Sequence, residues 1–204
     1  GVRNIWLLLC GAPFAVVFLM VIAASTLYNR FGKPLGQIFN AIDSTGAGTG
    51  IGASLSGFFN GSNTNGTTSP TGAAAVFHPQ ATRDNGFGHA QAFGVNPLTP
   101  EGKIALSGLD TSGNSTYTFT FFGSRTGVGD NRETVYTVQG GTSSASSLNT
   151  ANNTSNVALV SGILPDASGE IDILISAGPN NTSASRFGYI GAMSIEVTTT
   201  LVPE

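Results

Sequence analysis

Hydrophobic and polar positions divide the chain into three regimes. Residues 5–28 read IWLLLCGAPFAVVFLMVIAASTLY and contain no charged side chain. A helix of this length covers about 36 Å at about 1.5 Å per residue, enough to cross a hydrocarbon core of about 30 Å. The run outlasts the roughly 7–15 apolar residues of a secretory leader, so the pattern predicts a retained transmembrane helix within residues 1–30. Gly11, Ala12, Ala15, Ala23 and Ala24 are small enough to let a partner helix pack closely against it.

Phe31, Leu35, Ile38 and Ile42 follow at spacings of four, three and four, the stripe of an amphipathic helix lying at the membrane interface. Gly32, Pro34 and Gly36 interrupt that stripe. From residue 43 to residue 72 Gly, Ser, Thr and Asn dominate, with one apolar clip at Leu55, Phe58 and Phe59. Residues 31–72 are therefore expected to form an amphipathic neck and a flexible linker.

Beyond residue 73 the period changes to two. Stretches 116–121, 133–138, 156–160, 170–175 and 187–197 read as strands, separated by Gly-, Asn-, Asp- and Pro-containing turns. Short strands at such spacing, without a helical pattern between them, predict that residues 73–204 form an antiparallel β-sandwich of jelly-roll-like type. The expected fold class is mainly β with an N-terminal transmembrane α-helix.

Composition narrows the function. Charged residues make up 9% of the chain, against about 25% in an average soluble domain. The net charge is −3 with only eight Lys and Arg, which leaves no basic stripe for nucleic acid. A lone cysteine, Cys10, excludes a disulfide framework and a cysteine-rich zinc site. His78 and His89 stand beside no GxSxG elbow or cysteine nucleophile, and the glycine-rich stretch lacks the GxxxxGK[ST] pattern of a phosphate loop. No catalytic centre and no cofactor is expected.

Asp130–Asn131–Arg132–Glu133 reads first as a turn in which Arg132 pairs with a carboxylate. The alternative is a calcium site built from Asp130, Asn131 and Glu133, whose hard oxygen ligands suit that ion. Asp166, Glu170 and Asp172 read as turn and strand-surface positions. Tyr117, Tyr136 and Tyr189, with Phe187, are candidate glycan contacts, or else core rings.

The segments YTFTFFGSRTGVGDNRETVYTVQG, SSLNTANNTSNVALVSGILPDASGEIDILISAGPNN and RFGYIGAMSIE, with the closing LVPE, together resemble the β-domain of bacterial PEP-CTERM surface proteins. The resemblance spans residues 104–204 and implies an exported β-sandwich with no established activity; in that family a VPEP motif precedes a membrane anchor. Ser25–Thr26–Leu27 and the stretch LGQIFNAI resemble the small Flp-type pilins, although Ile5, Trp6 and Leu7 stand where those pilins carry Glu and Tyr. A first residue other than Met and an end at VPE lead to the expectation of a processed or incomplete chain.

The expected protein is thus a non-enzymatic, single-pass protein of the bacterial inner membrane with its β-domain on the periplasmic or cell-surface side. Its partners would be the lipid bilayer and either other membrane-protein subunits or copies of itself, in a surface assembly or as scaffold of a larger complex. The alternative is a carbohydrate-binding surface module.

Overall fold

A computed structural model describes residues 15–18, 37–38, 47–56 and 61–200 of the chain. These residues form three antiparallel sheets and two short helical turns. The strands are β1 (Ala15–Phe18), β2 (Gln37–Ile38), β3 (Gly52–Ser56), β4 (Gly61–Asn63), β5 (Asn85–His89), β6 (Glu101–Ser107) and β7 (Ser115–Phe122). They continue with β8 (Glu133–Gln139), β9 (Ser143–Asn149), β10 (Ala158–Ile163), β11 (Ile171–Ala177), β12 (Phe187–Ile190) and β13 (Ala192–Thr199). One sheet has the order β1-β13-β7-β10, the second β2-β3-β6-β11-β8-β9, and the third β12-β5-β4.

The two larger sheets share one core. On β7 the alternation predicted from sequence points Tyr117, Phe119 and Phe121 inward, and β13 adds Met193, Ile195 and Val197. The six-stranded sheet answers with Ile104 and Leu106 from β6, Tyr136 and Val138 from β8, and Ile171, Ile173 and Ile175 from β11. Across this interface the rings of Phe121 and Tyr136 stack at 4.6 Å, inclined by only 1°. Phe122 points to the other side of its sheet, where the 3₁₀ turn Gly72–Val76 and helix α1 (Pro79–Arg83) cover it with Ala74, Phe77 and Ala81. These turns interrupt the all-strand pattern expected after residue 73. Pro79 supplies the fixed φ of a first helical residue, and the His78 imidazole accepts the Gln80 N–H at 3.3 Å.

The sequence reading is corrected in the linker. Residues 52–56 and 61–63 are strands, with β3 pairing β6 from Gly52↔Ser107 to Ser56↔Lys103 and β4 pairing β5. Small residues make this stretch look like a linker, yet Ile51 and Ala53 are buried and Leu55 packs on the core. Backbone pairing to an open edge needs few large side chains. Phe58 and Phe59 lie outside the described residues.

The predicted transmembrane helix also lies outside them, apart from four residues. There the backbone is extended: β1 runs antiparallel to β13 from Ala15↔Thr198 to Phe18↔Ile195. The sequence Ala-Val-Val-Phe is β-favouring, and β13 otherwise ends its sheet with unpaired N–H and C=O groups. Of the proposed helix-packing residues, Ala15 is thus in a strand, while Gly11, Ala12, Ala23 and Ala24 lie outside the described residues. Within the predicted amphipathic helix, Gln37 and Ile38 pair with β3. Among the described residues no helix is long and apolar enough to cross a membrane.

Candidate functional site: an aromatic cleft on the small sheet

The β5–β12 ribbon has two unlike faces, and its sequence explains both. NGFGH and FGYI alternate rings with glycines, and the register sets Phe187 beside His89 and Tyr189 beside Phe87. One face therefore carries four rings and the other is nearly bare backbone. The bare face lies against β11, where a Cβ on Gly188 would come within 3.2 Å of the Ser176 carbonyl carbon. The ring face opens outward. Phe93, from the loop after β5, meets Phe187 edge-on at 5.1 Å and His89 at 5.5 Å, and Phe87 meets Phe187 at 5.9 Å. Such edge-to-face contacts suit the ring quadrupoles and hold the array as a unit.

This array floors a cleft of about 400 Å³ whose polar lining is Ser62, Asn63, Asn65, Arg125 and Arg132. Three sequence motifs build that lining. In the first, Arg132 donates through Nε to Asp130 at 2.9 Å and through Nη2 to the second carboxylate oxygen at 3.3 Å. Its third nitrogen donates to the Tyr189 hydroxyl. The guanidinium carbon sits 5.1 Å from the Phe187 ring centre and 5.8 Å from that of Tyr189, within cation–π range. Hydrogen bonding from Arg132 holds the Asp130 carboxyl below the usual carboxylate range. Burial pushes the Tyr189 hydroxyl up, opposed by the nearby Arg132 charge.

In the second motif, ANNTS, Asn153 is buried and donates to the carbonyls of Gly123 and Asn156 at 3.0 and 2.9 Å. Asn152 stands at φ 51°, donates to the Val128 carbonyl at 2.6 Å and accepts the Gly127 N–H at 2.8 Å. Arg125 is pinned between them: its N–H donates to the Thr150 carbonyl at 2.7 Å, and its carbonyl accepts the Asn152 N–H at 2.9 Å. In the third, NNTS, buried Asn181 donates to the carbonyls of Glu133 and Phe187 at 2.9 and 2.7 Å, fixing the ribbon beneath the rings. The asparagines of these N-x-[ST] triplets thus include two that bond internal backbone.

The calcium alternative at Asp130, Asn131 and Glu133 is not supported by this geometry. Asp130 faces Arg132, the Asn131 carbonyl oxygen accepts the Glu133 N–H at 2.8 Å, and the Glu133 carboxylate turns to the Asn180 N–H at 2.8 Å. Each of the three side chains is thus already engaged by a different protein group. Asp166 likewise accepts the Ser168 and Glu170 N–H groups at 2.8 and 2.9 Å.

The candidate glycan tyrosines separate in the same way. Tyr117 and Tyr136 are core residues, 3% and 0% exposed, and neither lines the aromatic cleft; Tyr117 borders a separate hollow beside Asp110. Of the three, Tyr189 borders the cleft, itself buried at 2% exposure beneath the half-buried Phe187. Sequence reasoning missed Phe87, Phe93, Arg125 and the lining asparagines; the ring–glycine alternation of NGFGH was the available signal. His89 is buried under Phe93 and Phe187, and its Nδ1–H donates to the Gln91 carbonyl at 2.7 Å.

The fold and the cleft together define a mainly β, antiparallel, sandwich-like domain with an aromatic cleft. No family model and no curated protein matches the chain. Among solved structures it is similar to the module TmCBM61 in complex with β-1,4-galactotriose, at 16% identity and a TM-score of 0.31, over 55% of this chain and 68% of that one. It is also similar to an exo-β-1,3-galactanase from Phanerochaete chrysosporium with galactose, at 16% identity and a TM-score of 0.31. That match covers 76% of this chain and 32% of the galactanase.

Proposed function

We propose that the chain is a non-enzymatic surface protein whose jelly-roll-like head binds carbohydrate in the aromatic cleft. The carrying observation is the cleft itself. Phe87, Phe93 and Phe187 offer apolar ring surface to the C–H faces of sugar rings, while Asn63, Asn65 and Arg125 supply hydrogen-bonding groups suited to hydroxyls. Rings locked edge-to-face lose little entropy on binding. Titrating the full chain, in detergent, with a panel of plant, fungal and bacterial oligosaccharides tests the proposal. Binding that weakens about tenfold in Phe93→Ala, a change at a 40% exposed ring, supports it. A chain that binds nothing in the panel refutes it.

A second reading makes the same protein a membrane-anchored structural subunit of a surface assembly or scaffold. The charge-free run of residues 5–28 supports it, although Ala15–Phe18 within that run pair with β13; the resemblance to exported PEP-CTERM proteins supports a head outside the cytoplasm. Flotation of the full chain with vesicles, compared with a chain starting at residue 47, measures the anchor. Equal partitioning of both chains would count against it.

A further inference from the structure

The two arginines of the cleft are not equivalent. Arg132 has each of its three nitrogens engaged, and Asp130 offsets its charge. Arg125 spends one nitrogen on the Thr126 carbonyl at 2.7 Å, and its guanidinium also bears on the Tyr189 hydroxyl. Among the described residues it makes no direct ion pair, although the Asp130 carboxylate feels its charge, and none of the residues lining the cleft is acidic. A guanidinium carries five N–H donors in a planar fork, so Arg125 retains donors for a ligand. Its backbone is pinned by the Thr150 and Asn152 bonds, and its side chain is tethered at the cleft by the Nη1 bond to the Thr126 carbonyl.

We infer that the cleft selects an acidic glycan, one bearing a uronate carboxylate, and that Arg125 is the residue that takes this carboxylate. The inference rests on the carbohydrate reading above and specifies its substrate class. The sugar ring lies on Phe187 and Phe93, and its carboxylate meets the Arg125 fork in a planar, charge-assisted pair. Arg132 serves as a positioning residue: saturated by Asp130 and Tyr189, it sits over the Phe187 ring without spare donors. A chain of net charge −3 does not attract polyanions as a whole. With a screening length of about 8 Å in physiological salt, the Arg125 guanidinium at the cleft sets the preference instead.

The test compares oligogalacturonate, oligoalginate and hyaluronan fragments with the same oligosaccharides after methyl esterification of their carboxylates, and with neutral galactan and glucan oligomers. Sulfated oligosaccharides form a separate arm. Expected is binding of at least one uronate, weakened roughly tenfold to hundredfold by esterification, by Arg125→Gln and in part by 0.5 M salt. Esterification acts on the ligand, so this arm needs no variant to fold. Equal binding of free and esterified forms, binding confined to neutral oligomers, or binding confined to sulfated ones overturns the inference while leaving the carbohydrate reading intact. Absence of binding throughout overturns both.

Discussion

Arg132 joins a turn, a ring array and a hydroxyl, so the chemistry of one ion pair reaches the cleft floor. Because Asp130 is held below the ordinary carboxylate range, its native pKa lies below the unfolded value of about 3.9. The unfolded chain then binds more protons on acidification, and the pair's contribution, complete above about pH 5, is lost as pH falls through the native pKa. Asp130→Asn is expected to be less stable than wild type near neutrality, with the two urea midpoints converging on the acid side. Parallel midpoints across that range would contradict it. Tyr136 gives a second prediction of the same scale. Its hydroxyl donates to the Tyr189 carbonyl at 2.8 Å from a fully buried position. Tyr136→Phe keeps the ring stacked on Phe121 but leaves the carbonyl short of a partner, for a loss of about 1–2 kcal/mol in chemical denaturation.

At the level of elements, the asparagine lining of the cleft hangs on a close approach between the segment after β4 and the end of α1. The Gly66 N–H donates to the Arg83 carbonyl at 2.8 Å, and a Cβ on Gly66 would lie 2.2 Å from the Thr82 carbonyl oxygen and 2.8 Å from that of Arg83. Backbone atoms cannot rotate aside, so Gly66→Ala is expected to cost about 3 kcal/mol and to displace Asn65, seen as a lower thermal midpoint. Which elements could be read from sequence follows from how each is stabilised. β7, β8 and β11 bury alternate large side chains, and their period was legible at once. β9 reads Ser-Ser-Ala-Ser-Ser-Leu-Asn and buries only Leu148, because its place comes from backbone pairing to β8 along Glu133↔Asn149 to Gln139↔Ser143. β3 and β4 were hidden for the same reason. The single stretch expected at 187–197 divides at Gly191, whose N–H donates to the Phe122 carbonyl at 2.8 Å, sending β12 to the small sheet and β13 to the large one. The cleft was only partly legible: Tyr189 and Phe187 were in view, but Arg125 and Asn65 meet them through pairings distant in sequence.

For the whole molecule, strands within the glycine-rich stretch, β3 and β4, belong to the sheets of the head. A head cut at residue 73 loses Ile51, Ala53 and Leu55 from the core and exposes the β6 edge that β3 covers. It also loses β4, and with it Asn63 and Asn65 from the cleft. Returning an isoleucine, a leucine and an alanine to water removes roughly 4 kcal/mol of apolar burial. That is a large share of the roughly 5–15 kcal/mol that holds a domain together. An unpaired β6, with its run of Ile104, Ala105 and Leu106, would in addition offer other chains an edge to extend. A fragment of residues 47–204, which lacks β1 and β2 but keeps β3 and β4, is therefore expected to unfold cooperatively in urea and to associate less than a shorter head. The fragment 73–204 is expected to unfold at a clearly lower midpoint and to self-associate as its concentration rises. Matching midpoints and sedimentation for the two fragments would mean that the paired strands before residue 73 add nothing to the fold, against the burial of Ile51 and the continuous β3–β6 register.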